Sequence, residues 1–379
     1  MTDVPRTRVG EPLGGVPAGQ YAGRTACIVW SSRSQAIAGG LQRQIDRLVA
    51  EADALQLNVS VISPPDDGLG PGPENRLGVA QFRTSLEAIG ALLGKAAILY
   101  CARLYKGLER AQLPALLRIA EQVPVVIRCP TTDDARRLRT AALAGAIADP
   151  LRQQVIAHCL NRRSAELLRG LRDHGLRPVV HYNTAQPRPR VNGAEASPPV
   201  APSVFYCGRA DRSKNLEGLL AAWPLVPTDR DLNLFGPGQL QRLASRQQRV
   251  VYGGCYQGDP PFRLGDVVVL PSFREGHTNV LVEAFRAGAV VVGSAVPGIE
   301  EHLADHRGIL IGRPCNARSI AVALASAVTL PAGQRARLGL RAQAYFDESL
   351  ASPYSSAIHV MRVALQGLVA TGDSLERVS

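Results

Sequence analysis

The sequence predicts an α/β protein made of two doubly wound parallel-sheet domains that face a central cleft. Three observations predict this class. The chain has 379 residues, enough for roughly two to three domains. Short apolar strands alternate with amphipathic helical stretches along the whole length, which is typical of parallel sheets covered by helices on both faces. One proline-rich segment interrupts that alternation, so we expect a ligand to bind between the two sheets it separates.

The first half contains six predicted strands, each a short apolar run. The stretches between them carry apolar residues at helical spacing, as at Leu41, Ile45, Leu48 and Leu55. Such strand–helix repeats predict one parallel sheet with helical connections. The predicted strands are Ala26–Ser31, Asn58–Ser63, Ala96–Cys101, Pro124–Cys129, Val155–His158 and Pro178–Tyr182.

The segment Thr184–Ser203 contains five prolines and almost no large apolar residue, which predicts an interdomain linker. Strand–helix alternation then restarts. We therefore divide the chain into a loose tail (1–20), an N-terminal acceptor-binding domain (21–184), the linker (185–203), a C-terminal domain (204–350) and a last segment (351–379) whose helix, Pro353–Leu368, packs back on the first domain. The strands predicted in the second half are Val204–Cys207, Leu232–Phe235, Val250–Tyr252, Val267–Leu270, Val290–Gly293 and Ile309–Ile311.

Composition argues against several classes of protein. The seven cysteines are dispersed, with no CxxC pair and no cluster at zinc-ligand spacing, so we expect a reducing cytoplasm, no disulfide framework and no metal. The net charge of +11 comes from scattered arginines and only 5% of residues are aromatic, a pattern that argues against nucleic acid as a partner. No apolar run reaches the roughly 18 residues that a membrane span needs, and Met1–Gln20 lacks the apolar core of a signal peptide.

The most informative stretch is Leu270–His302. A predicted strand ends at Leu270, a polar loop follows, and a helix that Asn279 could cap begins after it. Such a junction presents backbone N–H groups and a positive helix end, which suits a phosphate. Glu275 in the loop and Glu283 in the helix could accept hydrogen bonds from sugar and ribose hydroxyls. The alternative is an ordinary surface helix with two solvated glutamates.

A second set of polar residues follows the strand Val204–Cys207. Gly208 ends that strand, Arg209 comes next, and Lys214 lies in the short polar loop before a helix that begins near Asn215. Two cations at this place could hold a diphosphate. The alternative is surface charge on a loop, although Lys214 is one of only three lysines in the chain.

Together these residues resemble the second domain of family 4 glycosyltransferases, a large retaining group with the two-Rossmann-domain GT-B architecture. Four elements match in order over about 110 residues. They are similar to the family's GR…K element (Gly208, Arg209, Lys214), its GxG turn (Gly236, Gly238), its DVFVLPSxxEGxxNVLLEAMAxG stretch (Asp266–Gly288) and its xxGGxxE tail (Val296–Glu301).

The first domain is less similar to this family. Gly39 and Gly40 stand where the family has a glycine pair after the first strand, and a glycine pair there lets the backbone approach a phosphate or an acceptor. A flexible helix entrance is the equal alternative. The family often has a histidine after the fourth strand, but here that strand ends in Arg128–Thr131, so no catalytic histidine is assigned. His158 lies later and is interpreted as a packed or hinge residue.

The resemblance implies a role for each site residue. Glu283 would bind the ribose, Arg209 and Lys214 the leaving diphosphate, and Glu275 the donor sugar, so Arg209, Lys214 and Glu275 are the catalytic candidates. At His277 the backbone N–H is a better ligand than the ring. The implied donor-binding set is Gly39, Gly40, Gly208, Gly236, Cys255, Gly276, His277, Thr278, Asn279, Val280, Leu281 and Glu283.

The expected function is a bacterial, metal-independent retaining glycosyltransferase with no cofactor, a nucleotide diphosphate sugar as donor and a small metabolite or natural product as acceptor. Three alternatives stay open: a lipid acceptor at the membrane surface, a sugar-nucleotide epimerase, and a noncatalytic glycosyltransferase-like partner. Residues 1–200 carry a net charge of +8, which favours peripheral contact with an anionic membrane. The lack of an aromatic-rich amphipathic helix favours a soluble acceptor.

Overall fold

The computed structural model divides the chain into two compact units. One runs through the first half to Tyr182 and resumes at Tyr354, and the other contains Asn183–Pro353. The structure describes residues 26–30, 40–52, 58–62, 87–91, 96–102, 109–143, 155–187, 199–256 and 258–373. The predicted tail 1–20, Gly39 and the middle of the predicted linker lie outside these ranges.

The first unit is built on a parallel sheet of six strands in the order β2-β1-β3-β4-β5-β6. Every neighbouring pair in the sheet is parallel, so each connection must cross over one face of it. Its elements are β1 (Ala26–Trp30), α1 (Gly40–Ala52), β2 (Asn58–Ile62), β3 (Ala96–Cys101), α2 (Glu109–Ala120), β4 (Val125–Cys129), α3 (Thr132–Ala141), β5 (Val155–Cys159), α4 (Arg162–Leu168) and β6 (Leu176–Val180).

The second unit is also built on a six-stranded parallel sheet, in the order β12-β11-β10-β7-β8-β9. The order reverses between β7 and β10, which is the pattern of a doubly wound sheet. Its elements are β7 (Val204–Cys207), α5 (Leu216–Ala222), β8 (Leu232–Phe235), α6 (Leu240–Ala244), β9 (Val250–Gly254), β10 (Val267–Leu270), α7 (Asn279–Ala287), β11 (Val290–Ser294), α8 (Pro297–Leu303), β12 (Gly308–Ile311), α9 (Ala317–Thr329) and α10 (Ala332–Ser349).

The last helix, α11 (Ser356–Asp373), belongs to the first unit although it follows the second in sequence. It packs against α1 and against β3, β4 and β5. Ile358 and Met361 of this helix are fully buried and pack with Ile98, Tyr100 and Val126 of the sheet. This buried apolar contact holds the end of the chain to the first unit.

The apolar runs form strands because both faces of each sheet are covered. All residues of β10 (VVVL) and β11 (VVVGS) are buried, so neither strand alternates between polar and apolar side chains. β6 begins at Leu176, two residues before the predicted start at Pro178. It is an edge strand that pairs only with β5, where a proline is tolerated. The two sheets confirm the predicted class of two doubly wound α/β domains.

Candidate functional site at the carboxyl ends of β7 and β10

The candidate site lies in the second unit where the strand order of its sheet reverses. β7 ends at Cys207 and β10 ends at Leu270, and these two strands are neighbours. Ligands of doubly wound sheets bind outside the carboxyl ends of the strands at such a reversal. The loops that follow the two strands are joined, because the Phe273 N–H donates a 2.8 Å hydrogen bond to the Ser213 carbonyl.

Lys214 and Glu275 form an ion pair across these two loops. The Lys214 Nζ lies 2.5 Å from Glu275 Oε1, and the same oxygen accepts a 2.8 Å hydrogen bond from the Ser272 hydroxyl. The side chains are 21% and 10% exposed, respectively, so the pair is shielded from most of the solvent that weakens surface ion pairs. The structure thus brings together two of the three predicted catalytic residues.

Arg209 is held to the same turn through Asp211. The Arg209 guanidinium lies 2.9 Å from Asp211 Oδ2, and Asp211 caps the short helical turn Arg212–Lys214 by accepting a 3.0 Å bond from the Ser213 N–H. Burial opposes ionisation of the Asp211 carboxyl, but hydrogen bonds from Ser213 and the charges of Arg209 and Lys214 outweigh it and hold its pKa below the ordinary value. Asp211 was not identified from the sequence as a site residue, although an aspartate just before a helical turn is a recognisable N-cap signal.

The side chain of Tyr206 fixes the backbone of Arg209. The buried Tyr206 hydroxyl donates a 2.7 Å hydrogen bond to the Arg209 carbonyl. Burial raises the pKa of this phenol well above its ordinary value, so it stays a protonated donor. The Arg209 side chain is 52% exposed, which leaves the guanidinium accessible to a ligand.

Glycine is required at the turn after β8. Gly236 has φ +139°, and a Cβ there would lie 2.0 Å from the Gly208 carbonyl oxygen. The Gly236 N–H donates a 2.8 Å hydrogen bond to the Gly254 carbonyl. Any side chain at Gly236 would therefore separate the loops after β7 and β8.

Helix α7 begins one residue earlier than a cap at Asn279 would require. Thr278 is the N-cap, without a side-chain capping bond, and Asn279 is the first helical residue. The side chains of Val280 and Leu281 are buried in the core, at 8% and 0% exposed. Of the predicted donor-binding residues in this turn, Val280 and Leu281 can therefore offer a ligand only backbone groups.

The ring of His277 has a structural role. Its Nδ1 accepts a 2.9 Å hydrogen bond from the Asn183 N–H, and its carbonyl accepts a 2.5 Å bond from the Asn183 amide. The ring is 4% exposed and packs 4.3 Å, centroid to centroid, from the ring of His302. His277 thus ties the loop before α7 to the segment that follows β6.

Gly276 is positioned by the first turn of α8. A Cβ at Gly298 would lie 1.3 Å from the Gly276 carbonyl oxygen. The glycine at 298 therefore allows the loop that carries Glu275 to pass directly over α8.

Glu283 lies on α7 and has a partner that was not predicted. The Tyr256 hydroxyl donates a 2.5 Å hydrogen bond to Glu283 Oε2. Cys255, the residue before Tyr256, is exposed after the end of β9. No sequence signal pointed to Tyr256, because the contact joins residues 27 positions apart on different elements.

The remaining candidates lie in the other unit. Gly40 begins α1, and Gly39 lies outside the described residues. His158 is completely buried, with Nδ1 3.1 Å from the Tyr100 hydroxyl and Nε2 3.0 Å from the His181 carbonyl, so it is a packed residue. Within the described ranges there is no group of three His, Cys, Asp or Glu side chains that could hold a metal ion. No helix in those ranges has the length and apolarity to cross a membrane.

Comparison with solved structures shows the same fold. The chain resembles HepE of Anabaena, solved with UDP-glucose (TM-score 0.61, 13% identity, 91% of this chain and 99% of that one). It also resembles sucrose-phosphate synthase of Thermosynechococcus elongatus (0.68, 16%, 92% and 100%). A third similar structure is WaaG, a glycosyltransferase involved in lipopolysaccharide biosynthesis (0.60, 15%, 90% and 99%).

Comparison of sequences matches part of the second unit to a known family. No curated protein matches the chain. Residues 201–329 match the family described as glycosyl transferases group 1, and this range contains Arg209, Lys214, Glu275 and Glu283. The match covers about a third of the chain and lies within the second unit, and the chain as a whole has the GT-B fold of the solved glycosyltransferases.

Proposed function

We propose that this protein is a retaining glycosyltransferase that moves a sugar from a nucleotide diphosphate sugar to a small-molecule acceptor. The observation that carries the proposal is the Lys214–Glu275 ion pair at the reversal point of the second sheet. A cation and a carboxylate lie side by side there, which supports a role for Lys214 at the diphosphate and for Glu275 at the sugar joined to it.

The two cations would stabilise the leaving group. As the bond between sugar and phosphate breaks, negative charge develops on the diphosphate, and preorganised donors there lower the barrier directly. Lys214 carries three N–H donors, so it can bind a phosphate oxygen while it still contacts Glu275. Arg209 offers a planar fork that matches a phosphate. These two positive charges support our proposal that the reaction needs no divalent metal and no cofactor.

The two carboxylates would bind different parts of the donor. Glu275 would accept hydrogen bonds from the sugar hydroxyls, and Glu283 on α7 from the ribose. Gly208 and Gly236 let the loops after β7 and β8 approach closely, and the lack of side chains at both positions supports close approach of the diphosphate to the backbone. The UDP-glucose in the structure of HepE supports a nucleotide sugar as donor.

In the proposed reaction the sugar keeps its anomeric configuration. The bond from C1 to the phosphate oxygen breaks, a bond from C1 to the acceptor oxygen forms on the same face, and the acceptor proton passes to the departing diphosphate. The family resemblance supports this course. The six cysteines whose side chains the structure describes are all free, which supports a reducing cytoplasm as the location.

A thermal-shift screen of UDP, GDP, TDP and ADP with their sugars tests the donor. We expect one nucleotide diphosphate and its sugar to raise the melting temperature, as any ligand that binds only the folded state must. Incubation of that sugar nucleotide with soluble acceptors should then give a glycoside. Addition of EDTA should leave the turnover unchanged.

The alternatives give different results in the same assay. Conversion of the donor to its epimer without acceptor would identify an epimerase. Product only on lipid vesicles would identify a lipid acceptor. Neither hydrolysis nor transfer with any donor that binds would show a noncatalytic protein and overturn the proposal.

A further inference from the structure

Tyr256 stands in an aromatic cluster that fixes the direction of its side chain. Its ring lies edge-on to Phe235 at 6.1 Å and to Phe262 at 6.4 Å, measured between ring centroids. Phe205 of β7 packs against both phenylalanines, at 6.1 and 5.3 Å. In an otherwise aromatic-poor chain, this packing holds a residue that follows the edge strand β9.

Apolar packing explains the ring of Tyr256 but not its hydroxyl. The hydroxyl is directed out of the cluster to Oε2 of Glu283, at 2.5 Å. Both side chains are half-buried. A phenol that donates to a carboxylate makes a short, charge-assisted hydrogen bond, roughly twice as strong as one between neutral groups. It also restricts the rotamers that a glutamate on a helix surface would otherwise sample.

We propose that Tyr256 is a positioning residue for donor binding: its hydroxyl holds the Glu283 carboxylate ready for the ribose before the nucleotide arrives. This inference rests on the proposed function, because it assigns Glu283 to the ribose. A carboxylate that is already fixed loses less conformational freedom when the ligand binds, and the affinity rises accordingly.

The test measures the affinity of two probes by calorimetric titration. The first probe is whichever of UDP, GDP, TDP and ADP binds the wild-type protein most tightly, and it contains the sugar that Glu283 would contact. The second is inorganic pyrophosphate, which has two phosphates and no ribose. Four proteins are compared: wild type, Tyr256→Phe, Glu283→Ala and the double variant. Tyr100→Phe is the matched control, because it removes a buried phenol hydroxyl from the first unit.

We expect Tyr256→Phe to weaken nucleoside diphosphate binding by about five- to tenfold, the scale of ordering one flexible side chain when a ligand binds. Pyrophosphate affinity should not change. In the Glu283→Ala background the same Tyr256→Phe substitution should have no further effect, since the carboxylate it positions is gone. Tyr100→Phe should bind both probes as the wild type does.

Other outcomes separate this inference from the proposed function. If Tyr256→Phe lowers nucleotide affinity equally in the wild-type and Glu283→Ala backgrounds, Tyr256 only supports the loop after β9. Unchanged or tighter nucleotide binding by Tyr256→Phe would show that its bond to Glu283 does not assist the ligand. Either result overturns the positioning role while Glu283→Ala still weakens binding. If Glu283→Ala has no effect, or no nucleotide binds, the proposed function fails with it.

Discussion

At the scale of single residues, the site depends on charges that are paired before any ligand arrives. Lys214 contacts Glu275, and Arg209 contacts Asp211. Each cation therefore has a partner that limits its movement, and little reorganisation would remain for it to make on binding the proposed diphosphate. Preorganised charge of this kind lowers a barrier more than mobile charge does.

Removal of either cation should reduce turnover much more than stability. For Lys214→Ala and Arg209→Ala we expect a loss of roughly 100- to 1000-fold in kcat, the usual cost of one preorganised donor to a developing charge. Arg230→Ala is the matched control, because it removes one positive charge from an exposed loop of the same unit. Steady-state kinetics and thermal unfolding of the three variants check this. Turnover near that of the wild type in both site variants would contradict the assigned role.

Substitution of the two glutamates should affect ligand binding in different ways. Glu283→Ala should weaken the binding of free nucleotide and of sugar nucleotide alike, because both ligands contain ribose. Glu275→Ala should leave free nucleotide binding nearly intact and weaken only the sugar nucleotide. Each charged hydrogen bond is worth about 1.5–3 kcal/mol where its hydroxyl partner is present. Calorimetric titration of both variants with both ligands decides the question, and an equal loss of free-nucleotide affinity would refute the division.

At the scale of elements, the strands could be predicted from sequence better than the caps and contacts that complete the site. β10 and β11 are unbroken apolar runs, and such runs carry their own signal. Asn215, near which α5 was expected to begin, is the N-cap of that helix, and Leu216 is its first helical residue. Asn215 takes a left-handed conformation at φ 52°, and its amide donates to the Cys315 carbonyl 100 residues away. A partner so distant in sequence leaves no local pattern, which also explains why the Tyr256–Glu283 bond was missed.

The packing of α8 against the loop that carries Glu275, the proposed donor loop, gives a prediction at this scale. In Gly298→Ala the new Cβ would lie 1.3 Å from the Gly276 carbonyl oxygen, so the loop that carries Glu275 must move. We expect a loss of about 1–3 kcal/mol in unfolding free energy, typical of overpacking, and a large loss of transfer activity. Denaturant unfolding and turnover measure these.

Gly333→Ala in α10 is the matched control. Nothing lies within 4 Å of a Cβ at that position, and alanine favours a helix over glycine by about 1 kcal/mol. Its stability should be unchanged or higher. A stable and fully active Gly298→Ala protein would show that the donor loop does not depend on this contact.

At the scale of the whole molecule, the chain passes from the first unit to the second after Tyr182 and returns at Tyr354. Close to both crossings, the first unit contains buried histidines. The ring of His181 stacks on the ring of His359 of α11 at 4.7 Å, and His158 lies beside His181. The end of the chain is thus held to the first unit partly by rings that must stay neutral.

Acid should therefore loosen α11 from the first unit. Burial, with the charges of His181, Arg362 on the same helix and Arg47 of α1, lowers the pKa of His359 from 6.5 to about 4. Burial also lowers the pKa of His158 and of His181. Between pH 6.5 and about 4 the unfolded chain binds more protons than the folded one. The stability that these neutral histidines contribute is therefore fully present above pH 6.5 and is lost as the pH falls towards 4.

Thermal unfolding at pH 7 and pH 5 measures this effect, and His359→Phe isolates the contribution of α11. Phenylalanine keeps a flat ring against His181 but cannot be protonated, so the fall in melting temperature between the two pH values should be smaller than in the wild type. His306→Asn, at an exposed position of the second unit, should keep the full fall. If His359→Phe loses as much stability in acid as the wild type does, the stacked pair is not what makes the first unit sensitive to acid.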